Sequence, residues 1–575
     1  MTTPATHTRG GPLFADLVVT DANVITVDKS LPRAQAFAVR DGRFIAVGAN
    51  TDVEPFIGAG TTVISARGKT IVPGFNDAHL HPRTLYPWDH RLGMVDLRPE
   101  SVAGMDALVA ALKAKAAITP KGAWVMGNRY QDTKLGRSPT RHDLDRVSTE
   151  HPVWIGHSSG HIGVVNSYAL RAAGITRDTP DPSAAAAGAA GGESDADYTT
   201  GASGTFGRDA DGEPNGICYE AASKIVREGG PPLPQPTPEE EREGYRRCFA
   251  EFMANGITSV GDASTTPRTM RVYQDLAAAG MPLRINMMIR DAHFAELQRL
   301  NLRTGFGDHR LRIGPVKVFH GNSLSGRTCW LYEPYDMVNP ATGLKDYHGI
   351  PPGRTQDELN AHFTAINRAG CQIAVHANGD REIDMVLEAI ATALRDTPRA
   401  DHRHRIEHAS VANERILRRV RELGIVLALH SYIYEHGETM EAYGAWRWPW
   451  MHPNRKAIDL GIVVAGNSDY GVSAARPLLR IQSLVTRTSS AGKAFAPEQA
   501  LGVDEALWTW TMGGAYASHE ERIKGSITPG KLADFVILTA DPRTVPPDTI
   551  KDIVVEQTFI DGVVAYDRST AASRN

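Results

Sequence analysis

A chain of 575 residues exceeds one ordinary domain, and 42% hydrophobic residues are enough for a large buried core. With 62 basic against 66 acidic residues the net charge is -4, which gives no electrostatic footing for a nucleic-acid or membrane-surface partner. Cys218, Cys248, Cys329 and Cys371 form no CxxC pair, no apolar run can span a bilayer, and the opening MTTPATHTRGGPLFADL lacks an apolar signal core; the expectation is a cytoplasmic protein with reduced thiols.

The chain begins with short strand patterns, ADLVVTDANVITV and AFAVRDGRFIAVG, the second turning at Asp41-Gly42. IVPGFND, from Ile71, is a compact apolar run that leads into His79 and His81. The gap that follows, residues 82–255, is too long for a loop. WVMGNRY, PVWIGHSSGHIGVVNSYALRAAG and PEEEREGYRRCFAEFMANG give it element patterns of its own, so it reads as an inserted subdomain. Within it, PDPSAAAAGAAGGESDADYTTGASG has the composition of a mobile surface loop. A regular rhythm then sets in: GITSVGD, LRINMMIRD, IGPVKVF, CQIAVHA, HRIEHAS, GIVLALHS and GIVVAGNSD, separated mostly by amphipathic segments such as TQDELNAHFTAINRAG. With IVPGFND these make eight candidate strands and predict an α/β fold, the (β/α)8 TIM barrel. ADFVILT and IVVEQTFIDGVVAYD close the chain in the style in which it opened. The two ends read either as one small β-domain or as two separate extensions.

Six candidate groups fall at or just past the C-terminal ends of predicted barrel strands: His79, His81, Lys317, His376, His408 and Asp469. Barrels build their active sites on that face. Alternate strand residues point the same way, so His79 and His81 can ligate one ion together. Asp469 can complete the coordination and accept a proton from activated water. Each group alone has a blander reading. With 21 histidines an HxH pair can arise by chance, Asp469 can cap a helix, and Lys317 can be ion-paired. Their joint placement carries the prediction of a metal-dependent hydrolase.

PGFNDAHLH, Pro73 to His81, resembles the PGFxDxHxH signature of the amidohydrolase superfamily, and GSITPGKLADFVIL resembles its return into a small β-domain. PTRHDLDRV, GHIGVVNSYAL, RDADGEPNGICYEAA, GITSVGDA, VKVFHGNSLSGRT, VHANGDREID, RIEHAS and GNSDYGV look like the third amidohydrolase family, the YtcJ-like branch that includes N-substituted formamide deformylase. The expected organisation is a small β-sandwich from residues 1–72 and 525–575, a barrel from 73–81 and 256–524, and an insertion, 82–255, over the barrel mouth.

The resemblance also implies roles. His79 and His81, with Asp469, would bind the more buried of one or two divalent ions, zinc foremost. His376 and His408 would bind the second, and Lys317 would bridge the two as a carbamate. Asp469 would act as general base and then as acid toward the leaving amine. His161, from the insertion, would face the site and hold substrate, with a structural role in a tight turn as its alternative. Two departures stand out. HGNS puts Gly321, preceded by His320, where the family shows the Asp of a DGS, and His430-Ser431 replaces a Gln-Pro. His320, Asn322 and His430 are therefore expected to line an altered pocket for a small-molecule substrate. YGAWRWPWMHP reads as a rim of that pocket or as packing under a loop. The implied reaction is hydrolysis of an amide, formamide or cyclic amide. Ester or lactone hydrolysis is the near alternative. Deamination fits less well because no HxxE follows His376. An inactive ligand-binding scaffold is the alternative of another class, and a homodimer stays open.

Overall fold

Apolar runs without alternation become strands covered on both faces, as a parallel barrel requires. In the computed structural model, which describes residues 14–182, 204–339, 342–430 and 432–571, seven parallel strands form one sheet. They are Phe75–Leu80, Ile257–Thr265, Arg284–Arg290, Leu311–Phe319, Ile373–Ala377, Arg405–His408 and Val426–Leu429. The expected eighth strand is an irregular segment instead of a ladder. Leu427 donates to Val463 O at 3.0 Å on one side, and Ala78 donates to Gly466 O at 3.1 Å on the other, so residues 463–470 still close the barrel. The segment ends at Asp469, which takes left-handed backbone, φ 49.

Amphipathic helices cover the strands. Gln356–Arg368 buries Leu359, Phe363 and Ile366 at helical spacing, and Asp380–Asp396 buries Ile383, Val386, Leu387 and Ile390. The first starts at a capping box: Glu358 accepts from Thr355 N at 2.8 Å, and Thr355 Oγ1 accepts from Glu358 N at 3.3 Å.

Both chain ends build one β-unit, which resolves the two readings of the termini. Phe535–Leu538 pairs antiparallel with Thr70–Pro73, Val536 opposite Val72. Phe535 stacks on Phe559 at 4.3 Å and meets Phe37 edge-on at 4.8 Å, so rings from both ends share one core. Asp41-Gly42 and Asp561-Gly562 each place two successive residues at positive φ, as type I′ hairpins demand.

The insertion carries its own six-stranded sheet, ordered Gly204–Arg208, Pro214–Glu220, Ile162–Val165, Val153–His157, Val125–Tyr130 and Val95–Asp96. Leu108, Leu112, Val125 and Ile155 form part of one of its cores; Trp124, Trp154, Phe206 and Val226 form part of another. Helix Pro238–Ala254, grouped with the insertion from the sequence, packs differently. Its Tyr245, Cys248, Phe249 and Phe252 sit in the barrel core, because that face meets the strand it leads into. The Ala/Gly-rich run lies largely outside the described residues, as do residues 1–13 and Ser431. All four cysteines are buried and unpaired. Among the described residues no helix is long and apolar enough to cross a membrane.

Candidate metal centre

The first barrel strand brings His79 and His81 to the barrel mouth on one face. Their Nε2 atoms lie 3.6 and 3.3 Å from Asp469 Oδ1. Asp469 is delivered by its left-handed backbone, and its N–H donates to His79 O at 3.0 Å. From the seventh strand's end, His430 Nε2 comes within 3.4 Å of Asp469 Oδ2. Imidazole therefore faces both carboxylate oxygens. His79, His81 and Asp469 form one buried group whose ligand atoms lie within 4.8 Å of one another; His408, His430 and Asp469 form a second.

His79 is held from behind. Its Nδ1 contacts the Glu407 carboxylate, which Arg405 clamps through Nε at 2.5 Å and Nη2 at 2.7 Å. With Nδ1–H donated to a carboxylate, Nε2 is left as the lone-pair face, and it has no hydrogen-bond partner among the described residues. Arg405 and Glu407 point the same way along the sixth strand. Strict alternation would turn His408 to the opposite side, but its φ of 78 breaks the alternation. The His408 ring comes 4.8 Å from that of His79, 4.4 Å from that of His376 and 4.3 Å from that of His430, stacked on the last.

Burial sets the charge states. It lowers the imidazoles of His79, His376 and His408 well below the ordinary histidine range, which leaves them neutral, the form that ligates metal. Burial also works to raise the Asp469 carboxyl, but His81, His430 and Lys317 outweigh it and hold it at about 2. Lys317 is fully buried, and burial lowers its ammonium to about 8. Its Nζ lies 4.6 Å from the Phe319 ring centroid and has no hydrogen-bond partner among the described residues. Neutral imidazoles, an ionised carboxylate and an unsatisfied buried Nε2 fit a divalent ion.

Several expected positions differ. His376 lines the pocket, but its Nε2 donates to Asn322 O at 3.0 Å, and it belongs to neither candidate ligand group, whereas His430, expected on the substrate side, belongs to one. Asn322 does not line the pocket: its carbonyl orients His376 and its side chain donates to Ile350 O at 2.5 Å. His320 does not reach the pocket either; it is buried, and burial drops its imidazole to about 3. A residue just past a strand end is aimed by the loop, which strand alternation does not encode. His161 does line the pocket, 5.5 Å from the His376 ring, with Nδ1 tied to Glu220 Oε2 at 2.7 Å. None of the Tyr443 to Pro453 aromatics lines the pocket: Trp448 packs in the loop and donates to Met440 O at 2.9 Å, and Trp446 is exposed.

Gly321 has a steric cause. A Cβ there would lie 2.1 Å from Glu382 Oε2. That carboxylate is fully buried and accepts four backbone N–H bonds, from Asn322 at 3.1 Å, Trp330 at 2.7 Å, and Asn378 and Gly379 at 2.9 Å each. It ties the loop after the fourth strand to the end of the fifth. Neither Glu382 nor the Arg405–Glu407 pair was singled out in the sequence; the only signal was two charged residues at i and i+2 in an otherwise buried strand.

Fold and site together define an α/β barrel with a candidate metal centre at its mouth. More narrowly, the chain belongs to the amidohydrolase family, whose model matches residues 62–566. It is 29% identical to the N-substituted formamide deformylase of Arthrobacter pascens, over 96% of this chain and 99% of that one. It is 28% identical to YtcJ of Bacillus subtilis (strain 168), over 93% and 97%. Among solved structures, an uncharacterized metal-dependent hydrolase from Pyrococcus horikoshii OT3 shares the fold, with a TM-score of 0.69 and 24% identity, covering 92% of this chain and 99% of that one.

Proposed function

We propose that this protein hydrolyses a C–N bond of a small molecule, an amide, formamide or cyclic amide, at a divalent metal centre. The observation that carries the reading is Asp469, ionised and buried, with imidazoles of the first strand on one oxygen and of the seventh on the other. The relationship to an enzyme named as a formamide deformylase supports the choice of bond.

A divalent ion held by His79, His81 and Asp469, with zinc the ion that this ligand set suits, would polarise the scissile carbonyl and bring water near ionisation at neutral pH. Asp469 takes the proton of the attacking water and returns it to the departing amine. His161, whose imidazole is raised overall because Glu220 outweighs its burial, presents Nε2 as a donor to the substrate. A second ion would draw on His408 and His430. Lys317, an amine whose burial favours the neutral form, is suited to add carbon dioxide, lose a proton and ligate as a carbamate. The acids after His376 do not suit a deaminase shuttle, since Asp380 accepts from Tyr332 N and Glu382 from four amides.

The test is amine release from N-formyl, N-acyl and cyclic amides by metal-free and zinc-restored protein. Release is expected only with metal, and Asp469→Asn is expected to lose about 10²–10⁴-fold in turnover. Turnover that survives chelation would remove the metal from the reaction. Full activity in Asp469→Asn would remove the base. Cleavage of matched esters without amides would select the ester reading.

A further inference from the structure

The insertion and the barrel enclose a second, larger cavity of about 380 Å³, a size typical of small-molecule sites. It borders the metal pocket. Ser159, His161, Asp469 and Val472 line the pocket; their chain neighbours Gly160, Tyr470 and Gly471 line the cavity. Tyr470 directly follows Asp469, and its ring is fixed in place. Its hydroxyl donates to Glu251 Oε2 at 3.0 Å, and Phe252 packs edge-on at 4.9 Å.

Two guanidinium groups gather on that ring. Arg83 lies 5.3 Å and Arg129 5.1 Å from its centroid, and neither makes an ion pair among the described residues. Cations collected on one ring repel each other until an anion joins them. Of the acids of the cavity, Asp96 is paired with Arg98 at 2.6 Å and Glu220 with His161 at 2.7 Å, while Glu251 accepts from the Tyr470 hydroxyl.

Arg129 is also aimed there at a cost. The pairing of Val125–Tyr130 with Val153–His157 slips between Asn128 and Tyr130, and Arg129, at that slip, has a φ of 73. A bulge re-aims a side chain, and a long side chain on left-handed backbone stores strain that the surrounding fold must offset. Its Nε is buried without a hydrogen-bond partner. Met94, Trp154 and Ile162 add an apolar stretch to an otherwise largely polar lining.

We infer that this cavity is a substrate subsite for a carboxylate. The substrate is an acid with an apolar body, its carboxylate held by Arg83 and Arg129. Its scissile amide extends to Asp469 where the cavity borders the metal pocket, a placement that rests on the hydrolase reading above. The planar two-donor fork of arginine matches a carboxylate, and the apolar stretch strengthens the pairing.

Calorimetric titration of the metal-free, full-length protein with hydrocinnamate and with hydrocinnamyl alcohol tests the subsite without turnover or metal ligation by the acid. The acid is expected to bind about tenfold or more tightly than the alcohol, less so as salt rises. Arg83→Gln and Arg129→Gln should each lose about tenfold for the acid and nothing for the alcohol, and Arg129→Lys should recover part of the loss. Equal binding of acid and alcohol by the wild-type protein overturns the inference whether or not the variants fold. Undiminished acid affinity in both folded Gln variants does the same. A second arm compares N-formylphenylalanine with N-phenethylformamide on the zinc-loaded protein, with the preference for the acid expected in KM. Acid binding without turnover of either amide supports the subsite and counts against the hydrolase reading.

Discussion

At the residue scale, the behaviour of His79 is decided by Glu407. The carboxylate holds Nδ1, so Nε2 is the face offered to the ion, and Arg405 holds the carboxylate in place. Glu407→Gln preserves the shape but removes the charge that fixes the tautomer. Metal affinity is expected to fall about 10–100-fold, measured by competition against a chromogenic chelator. Unchanged affinity would mean that the pair braces the strand without positioning the ligand. The ligand-type residues could be read from the chain because a barrel gathers strand ends whatever their separation. The supporting shell could not, because Arg405 and Glu407 touch no ligand that sequence spacing reveals. From the sequence, His430 reads as a substrate contact. Only the closure of the barrel by residues 463–470 shows that it faces Asp469.

At the scale of elements, the loop after the fourth strand is held by one buried carboxylate from the helix after the fifth. Gly321 leaves the room that Glu382 fills. Gly321→Ala is expected to destabilise by about 1–3 kcal/mol in urea unfolding, since the acid must move off its four amide donors. In a Glu382→Ala background the same change should cost less, because the clash is gone. Additive costs would place the strain elsewhere. The sequence rhythm locates seven barrel strands, but the eighth pairs irregularly and ends in the left-handed backbone of Asp469. Apolar periodicity also found helix Pro238–Ala254 without revealing which core it joins, a question only tertiary packing answers.

At the scale of the molecule, the insertion is pinned to the barrel mouth. Thr328 donates to Glu220 at 3.1 Å, and Asp132 pairs with Arg327 and, at 3.4 Å, with His157 Nε2. Burial works to raise the Asp132 carboxyl, but His157 and Arg327 overcome it and hold the acid well below the carboxylate range. An acid lowered in the folded state stabilises above its unfolded value and loses that contribution as pH falls through the folded one. Asp132→Asn should therefore cost about 1–2 kcal/mol at neutral pH. The gap from wild type should narrow from about pH 5 downward, as urea midpoints across pH would show. A gap independent of pH would mean that shape, not charge, makes the contact. The two β-rich ends and the insertion could be anticipated from where strand patterns stop and resume; how the insertion seats over the mouth could not, because polar pairs such as Asp132–Arg327 leave no periodic trace. The central claim is that His79, His81 and Asp469 hold a metal ion, and anomalous diffraction at the zinc edge from zinc-loaded crystals tests it most directly. An anomalous peak within ligand distance of His79 Nε2, His81 Nε2 and the Asp469 carboxylate is the predicted result; a fully loaded protein with no peak there would contradict it.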